Sequence, residues 1–169
     1  MARDRYTRDI DRGQDFIIRE AKNIKGSYVK VGLQGETGLK PHGEKDSKHT
    51  VVDIGVVHEF GTRDGTIPER SFIRSTHDGK NREWSVLTKA LLGRILLQRV
   101  TADKALGIIG LRIQNDVKDK IKSNVPPPST RATLRRKLAK TAKGSKGKPV
   151  TLIDKGQMLN SIIFAKFMS

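Results

Sequence analysis

Apolar and polar positions alternate most clearly in YVKVGLQ, Tyr28 to Gln34. Val29, Val31 and Leu33 alternate there with Tyr28 and Lys30, the two-residue period of a half-buried strand. Elsewhere a spacing of three and four dominates. Ile10, Ile17, Ile18, Ala21 and Ile24 draw a narrow apolar stripe through the charged stretch from Thr7 to about Lys25, and Gly26-Ser27 stops it. So thin a stripe suits a surface helix, or one completed by a neighbouring chain. Trp84, Leu87, Leu91, Ile95 and Leu96 make a wide apolar face on a helix predicted from about Gly79. Thr101 fits the N-cap of a continuing or second helix. There Leu106, Ile109, Ile113, Val117 and Ile121 give the best amphipathic pattern in the chain, which should end near Asn124, ahead of Pro126-Pro127-Pro128.

Between these elements the pattern is less decisive. Gly35 to Thr50 reads as a long polar loop, of a length that tends to be functional or mobile. In TVVDIGVVHEFGT the Val and Ile content favours a strand, while Val52, Val56 and Phe60 at four-residue spacing favour a short helix ending at Gly61. From Val125 to Pro149 the chain has no acidic residue and becomes a basic arm carrying Arg131, Arg135, Arg136, Lys137, Lys140, Lys143, Lys146 and Lys148, with a short helix predicted around Ala132 to Thr141. Asp154, three residues before Gln157, forms a variant capping box for a short helix that turns Met158, Leu159 and Ile162 inward. Ile163, Phe164 and Phe167 then read as a last strand, placed to pair with Tyr28–Gln34. The expected fold is α+β: a small, mainly antiparallel sheet packed against long helices, with an extended loop (35–50) and a basic arm (125–149). One domain is expected over residues 1–169, with its core in 28–124 and 150–169 and an N-terminal helix in 1–26.

Composition narrows the function. The 169 residues allow one core but not two ordinary domains. A net charge of +16 implies polyanionic or acidic partners. Aromatic content of 5% argues against single-strand binding by base stacking. No cysteine is present, which removes disulfides, thiolate nucleophiles and Cys-based zinc sites and fits a reducing cytosol. The N-terminus lacks the apolar core of a signal peptide, and no window approaches the roughly 18 apolar residues of a membrane span.

Catalytic motifs fail one by one. His58-Glu59 begins like a helical zinc-protease motif, but position 62 is Thr rather than the second His. His42, His49 and His77 have no metal-ligand spacing. Ser71, Ser75 and Ser161 lack a G-x-S-x-G elbow. Gly32, Gly35 and Gly38 do not make G-x-G-x-x-G, and Gly144-Ser145-Lys146-Gly147 is no P-loop. No catalytic residue, cofactor or metal site is predicted. The basic arm keeps two readings, solvated surface charge or sequence-independent phosphate contact. Nothing resembles a base-reading module.

One stretch, VVHEFGTRDGTIPERSFIRST, resembles a known family. HEFGT followed closely by IPERSFIR is similar to the phage neck and tail-completion (head–tail joining) proteins, in which a His-Glu-Phe-Gly-Thr corner precedes an Ile-Pro-x-Arg-x-Phe turn. His58, Glu59, Phe60, Gly61, Thr62, Ile67, Pro68, Arg70 and Phe72 carry the match; Ser71 stands where Pro is usual and Glu69 where Ala is common. The family's late Asp-Thr-Gly-x-Leu-x-x-Ser-Ile is matched by Asp154-Lys155-Gly156-Gln157-Met158-Leu159-Asn160-Ser161-Ile162, with Lys155 for Thr and Leu159 one place later. The order of elements fits from Tyr28 onward and favours the helical reading of Val51–Phe60. The resemblance implies a virion structural protein, assembled in the bacterial host cytoplasm as a hexameric or dodecameric ring between head connector and tail tube. Its partners would be head-connector and tail proteins, with non-specific contact to genomic DNA and none to membrane. A non-specific nucleic-acid-binding protein is the alternative. The corner is expected to be rigid, with Phe60 and Phe72 anchored in the core and Arg70 paired with Glu59.

Overall fold

The structure, a computed structural model, describes residues 13–42, 48–141 and 149–168. Among them are seven helices and two strands: α1 (Gln14–Ile24), β1 (Tyr28–Leu33), α2 (Gly35–Leu39), α3 (Val51–Phe60), α4 (Arg74–Leu96), α5 (Ala102–Lys122), α6 (Arg131–Thr141), α7 (Gln157–Asn160) and β2 (Ile162–Phe167). β1 and β2 form an antiparallel pair with Tyr28 opposite Phe167 and Leu33 opposite Ile162, and α5 packs on both strands. The architecture is α+β with long helices, as the periodicities imply.

The main core joins α3, α5, the strands and the C-terminal segment. Phe72, Ile121 and Ile162 are fully buried and Val51, Val117, Val125, Leu152 and Met158 nearly so. A second cluster, Leu91, Ile95 and Ala105, joins α4 to α5, with Ile24 of α1 packed against it. Two helical glycines allow close packing against the sheet. A Cβ at Gly55 of α3 would meet the Leu33 side chain at 1.9 Å, and one at Gly110 of α5 would meet the Phe164 ring at 2.4 Å.

Several boundaries differ from the sequence-based expectation. The 35–50 loop opens with α2, and Pro41 bridges to Thr50 across its ends. Thr50-Val51-Val52-Asp53 forms a full capping box that starts α3, which settles the ambiguous stretch as helix. α7 has no capping box at Asp154 and Gln157; Gly156, in the left-handed region at φ 77°, occupies its N-cap without a side-chain bond. Ile162 belongs to β2 rather than to that helix. Leu96 is 60% exposed, because the buried face of α4 is narrower than the apolar face in the sequence. In the N-terminal helix, Thr7 and Ile10 lie outside the described residues. Of its remaining stripe, Ile24 reaches the core while Ile18 stays exposed.

Gly107 and Gly110 share α5, but a Cβ at Gly107 meets open space. Gly107→Ala should therefore raise stability by about 0.5–1 kcal/mol through helix propensity. Gly110→Ala should lower the thermal midpoint by displacing Phe164. Thermal unfolding of the two variants showing shifts of the same sign would contradict this packing.

Candidate functional site

The HEFGT–IPERSFIR segment closes on a single carboxylate. α3 ends at Phe60, and Gly61 turns the chain at φ 75°, where a Cβ would come within 2.9 Å of the Glu69 amide nitrogen; the position requires glycine on both counts. Residues 62–67 form a tight loop. The Thr62 hydroxyl accepts from the Ile67 amide (2.9 Å), and the Thr62 amide donates to the Ile67 carbonyl (2.9 Å). Exposed Pro68 carries the chain back, and the Arg70 amide donates to the His58 carbonyl (2.7 Å).

That return brings the start of α4 onto Glu59. Its Oε2 accepts from the amides of Phe72 (2.8 Å) and Ile73 (2.9 Å), and its Oε1 from the Arg74 amide (2.9 Å) and the Ser71 hydroxyl (2.8 Å). The Ser71 oxygen in turn accepts from the Ser75 amide (3.2 Å). Of the amides that α4 leaves unsatisfied at its first turn, those of Ile73, Arg74 and Ser75 are thus met by one glutamate and one serine. The N-terminal end of the helix dipole adds to the attraction. Burial alone would push the Glu59 carboxyl up, but the bonds from Ile73, Arg74, Ser71 and Phe72 overcome it and hold the group below the usual carboxylate range.

The expected Arg70–Glu59 pair does not form. The cation beside Glu59 is Arg74, whose Nε lies 3.2 Å from Oε1 and whose Nη2 also reaches Glu69 at 2.7 Å. Arg70 instead faces away and is buried. Its Nε donates to the Pro127 carbonyl (2.8 Å) and its Nη2 to the Pro128 carbonyl (3.3 Å). The geometry explains the exchange: with the Arg70 amide on His58, the following residues must present their amides to Glu59, which turns the Arg70 side chain toward the proline run. Phe72 is fully buried, but Phe60 is 59% exposed and carries the Arg74 guanidinium over its ring at 4.6 Å. The corner is anchored by one aromatic residue, not two.

The basic arm divides. Arg131, Arg135 and Arg136 are exposed on α6. Lys137 is not available for contact as expected, because its Nζ donates to the carbonyls of Val150 (2.6 Å), Thr151 (2.8 Å) and Ile153 (2.8 Å). Lys140 lies in the last turns of α6, while Lys143, Lys146 and Lys148 lie outside the described residues. The corner and α6 share the walls of a cavity of about 420 Å³. The Nδ1 atoms of His58 and His42, which line it, are buried without hydrogen-bond partners among the described residues. Burial, reinforced by the charges of Arg70, Lys137 and His42, lowers His58 to about 4. No group of three His, Asp or Glu side chains among the described residues is placed to hold a metal ion, and no helix among them is long and apolar enough to cross a membrane. Comparison of the chain with family models, curated proteins and solved structures finds no match.

The sequence reading missed three functional contributors. Arg74 ends the IPERSFIR stretch but has no distinguishing local pattern. Ser71 gains its role only by lying opposite Glu59. Glu20 of α1 is the third: buried at 3% exposure, its Oε2 accepts from the Ala102 amide (2.6 Å) at the start of α5. Glu20 carries no short-range signal, since it caps its helix from a distant part of the chain.

Glu59→Gln should cost more stability than Arg74→Gln in urea unfolding. Gln opposes amide donors with its own NH2 in a buried site, a loss of about 1–3 kcal/mol for each donor left unmatched. Arg74 is half exposed, and its loss should cost about 1 kcal/mol or less. Equal costs would make the corner an ion pair rather than a helix cap. Acid acts on both neighbours. His58 binds its proton only near pH 4 when folded but near 6.5 when unfolded, so folding stability falls as pH drops through that interval. Glu59, depressed in the fold, contributes stability that is complete above its unfolded value and lost as pH falls through its lower folded value. His58→Gln should flatten the stability profile between pH 6.5 and 4 while leaving the steeper fall below it, as read by denaturant midpoints across pH.

Proposed function

We propose that this chain is a structural building block of a phage neck, forming a ring at the head–tail junction. The observation that carries the reading is the set of large apolar side chains left exposed on the two long helices. Leu92 (44%) and Leu96 (60%) lie one turn apart on α4, and Ile108 (42%) and Leu111 (49%) one turn apart on α5. Val86 and Leu97 add to them. In a chain this charged such pairs call for cover, and identical copies supply it in a closed ring. The resemblance of His58–Thr62 and Ile67–Phe72 to the neck and tail-completion proteins points the same way. The corner suits a part whose work is positional, because Glu59, Gly61, Thr62 and Ser71 all serve the turn.

A second reading, a non-specific nucleic-acid binder, is favoured by one feature: Arg131, Arg135 and Arg136 are exposed on α6, within a segment free of carboxylates. Such a protein would bind DNA with an affinity that falls steeply as salt rises.

Sedimentation velocity separates the two. The ring reading expects discrete oligomers that persist at high salt and dissociate in a Leu92→Glu, Leu96→Glu variant. Material that stays monomeric at every protein concentration, with the variant indistinguishable from the parent, would refute it.

A further inference from the structure

The cavity between the corner and α6 combines the size of a ligand site with a positive lining. Its volume of about 420 Å³ lies in the range of small-molecule sites, about 300–1,000 Å³. Arg70, Arg136, Lys137 and Lys155 line it, against one carboxylate, Asp154. Four cations less one anion leaves an excess of three positive charges. Lys137 contributes field rather than contact, since its ammonium is committed to backbone carbonyls.

Arg70 is the group that asks for a ligand. It is only 6% exposed, and its two bonded nitrogens meet the neutral carbonyls of Pro127 and Pro128. No carboxylate among the described residues forms an ion pair with it. Carbonyl dipoles solvate a guanidinium without neutralising it, and buried charges are ordinarily paired. On α3, His58 also lines the cavity and holds a buried Nδ1 with no hydrogen-bond partner among the described residues. A cavity floored by an unneutralised guanidinium, flanked by an imidazole with spare bonding capacity and opened by an exposed arginine, is incomplete without an anion.

We propose that this cavity binds a phosphate-bearing ligand of nucleotide size, with Arg70 and His58 at its inner wall and Arg136 at its mouth. Phosphate fits better than a carboxylate, because an excess of three charges exceeds what one carboxylate offsets and because guanidinium forks match phosphate oxygens. The lining contains no Phe, Tyr or Trp, so no aromatic platform is available to stack a base, and recognition rests on the phosphate. The backbone of a continuous duplex is too broad to enter such a recess. A free nucleotide or the phosphorylated end of a strand has the required shape. Burial holds His58 low and the neighbouring positive charges lower it further; an anion seated here would offset those charges, so the imidazole reports occupancy. The site does not depend on self-association, and its loss leaves the ring reading untouched.

Calorimetry and NMR on the full chain test it with inorganic phosphate, AMP, and one short oligonucleotide with and without a 5′-phosphate. The expected result is saturable binding of the phosphate ligands, with the His58 titration midpoint raised by about one pH unit or more. Arg136→Gln, at an exposed position, should weaken binding roughly tenfold with the thermal midpoint unchanged. It serves as the variant of choice because Arg70→Gln removes contacts that hold residues 127 and 128. AMP binding without the oligonucleotide identifies a free ligand; binding of the phosphorylated oligonucleotide but not its unphosphorylated twin identifies a strand end. Either upholds the site. Equal binding of both oligonucleotides, indifferent to Arg136→Gln and silent at His58, overturns it, as does no binding of any phosphate.

Discussion

The Glu59 carboxylate at the start of α4 is the constraint on which the rest of the structure depends. A helix of 23 residues begins with amides that no residue of its own can satisfy, and burying that end would be costly without acceptors. Glu59 supplies them from the last turn of α3. The bonds fix three things together: where α4 begins, the angle at which α3 meets it, and the path of the loop between. Phe72 enters the core because its amide is held at this point. Gly61 is required because the chain must reverse within a few residues for the carboxylate and the amides to meet.

The same device recurs at the other long helix. Glu20 of α1 reaches the first amide of α5, while the Thr101 hydroxyl accepts from Lys104 at 3.4 Å within the turn. Each long helix is therefore started by a buried carboxylate from a preceding element. Cations act at the other polarity. Arg70 and Lys137 gather the carbonyls on either side of α6 and hold that excursion against the corner. In a chain with a modest apolar fraction, buried ionic groups bonded to backbone do much of the positioning that a larger core would otherwise supply. Charge sets the geometry, and apolar burial stabilises it.

This division of labour explains which parts of the structure are legible in the sequence. Periodicity reveals β1, β2, α5 and most of α4, because those patterns record which face meets the core. It even gives the pairing of the two strands, and Thr101 marks the start of α5 in advance. The helix over Val51–Phe60 is ambiguous from apolar spacing, yet Thr50 and Asp53 state it in the local code of a capping box. The start of α4 is a different case. Extrapolated from the apolar face it falls near Gly79, five residues late, because the cap that permits an earlier start is Glu59. The choice of Arg74 over Arg70 as the neighbour of Glu59 is likewise invisible in the linear order. Both arginines lie within reach by sequence, and only the direction of the backbone at Arg70, fixed by its amide on His58, decides between them. The cavity is harder still, since its walls come from four separate segments.

One feature at the far end of α5 has an architectural meaning of its own. Asn124, in the left-handed region at φ 61°, accepts through its side-chain oxygen from the amide of Thr151 at 2.9 Å. The chain thus leaves the core and re-enters it through the same doorway, with α6 and its arginines strung between. A polypeptide detour whose two ends already touch adds little closure entropy as it lengthens or shortens. Insertions or deletions between these ends should therefore be tolerated, so long as the Arg70 and Lys137 contacts that pin the excursion are kept.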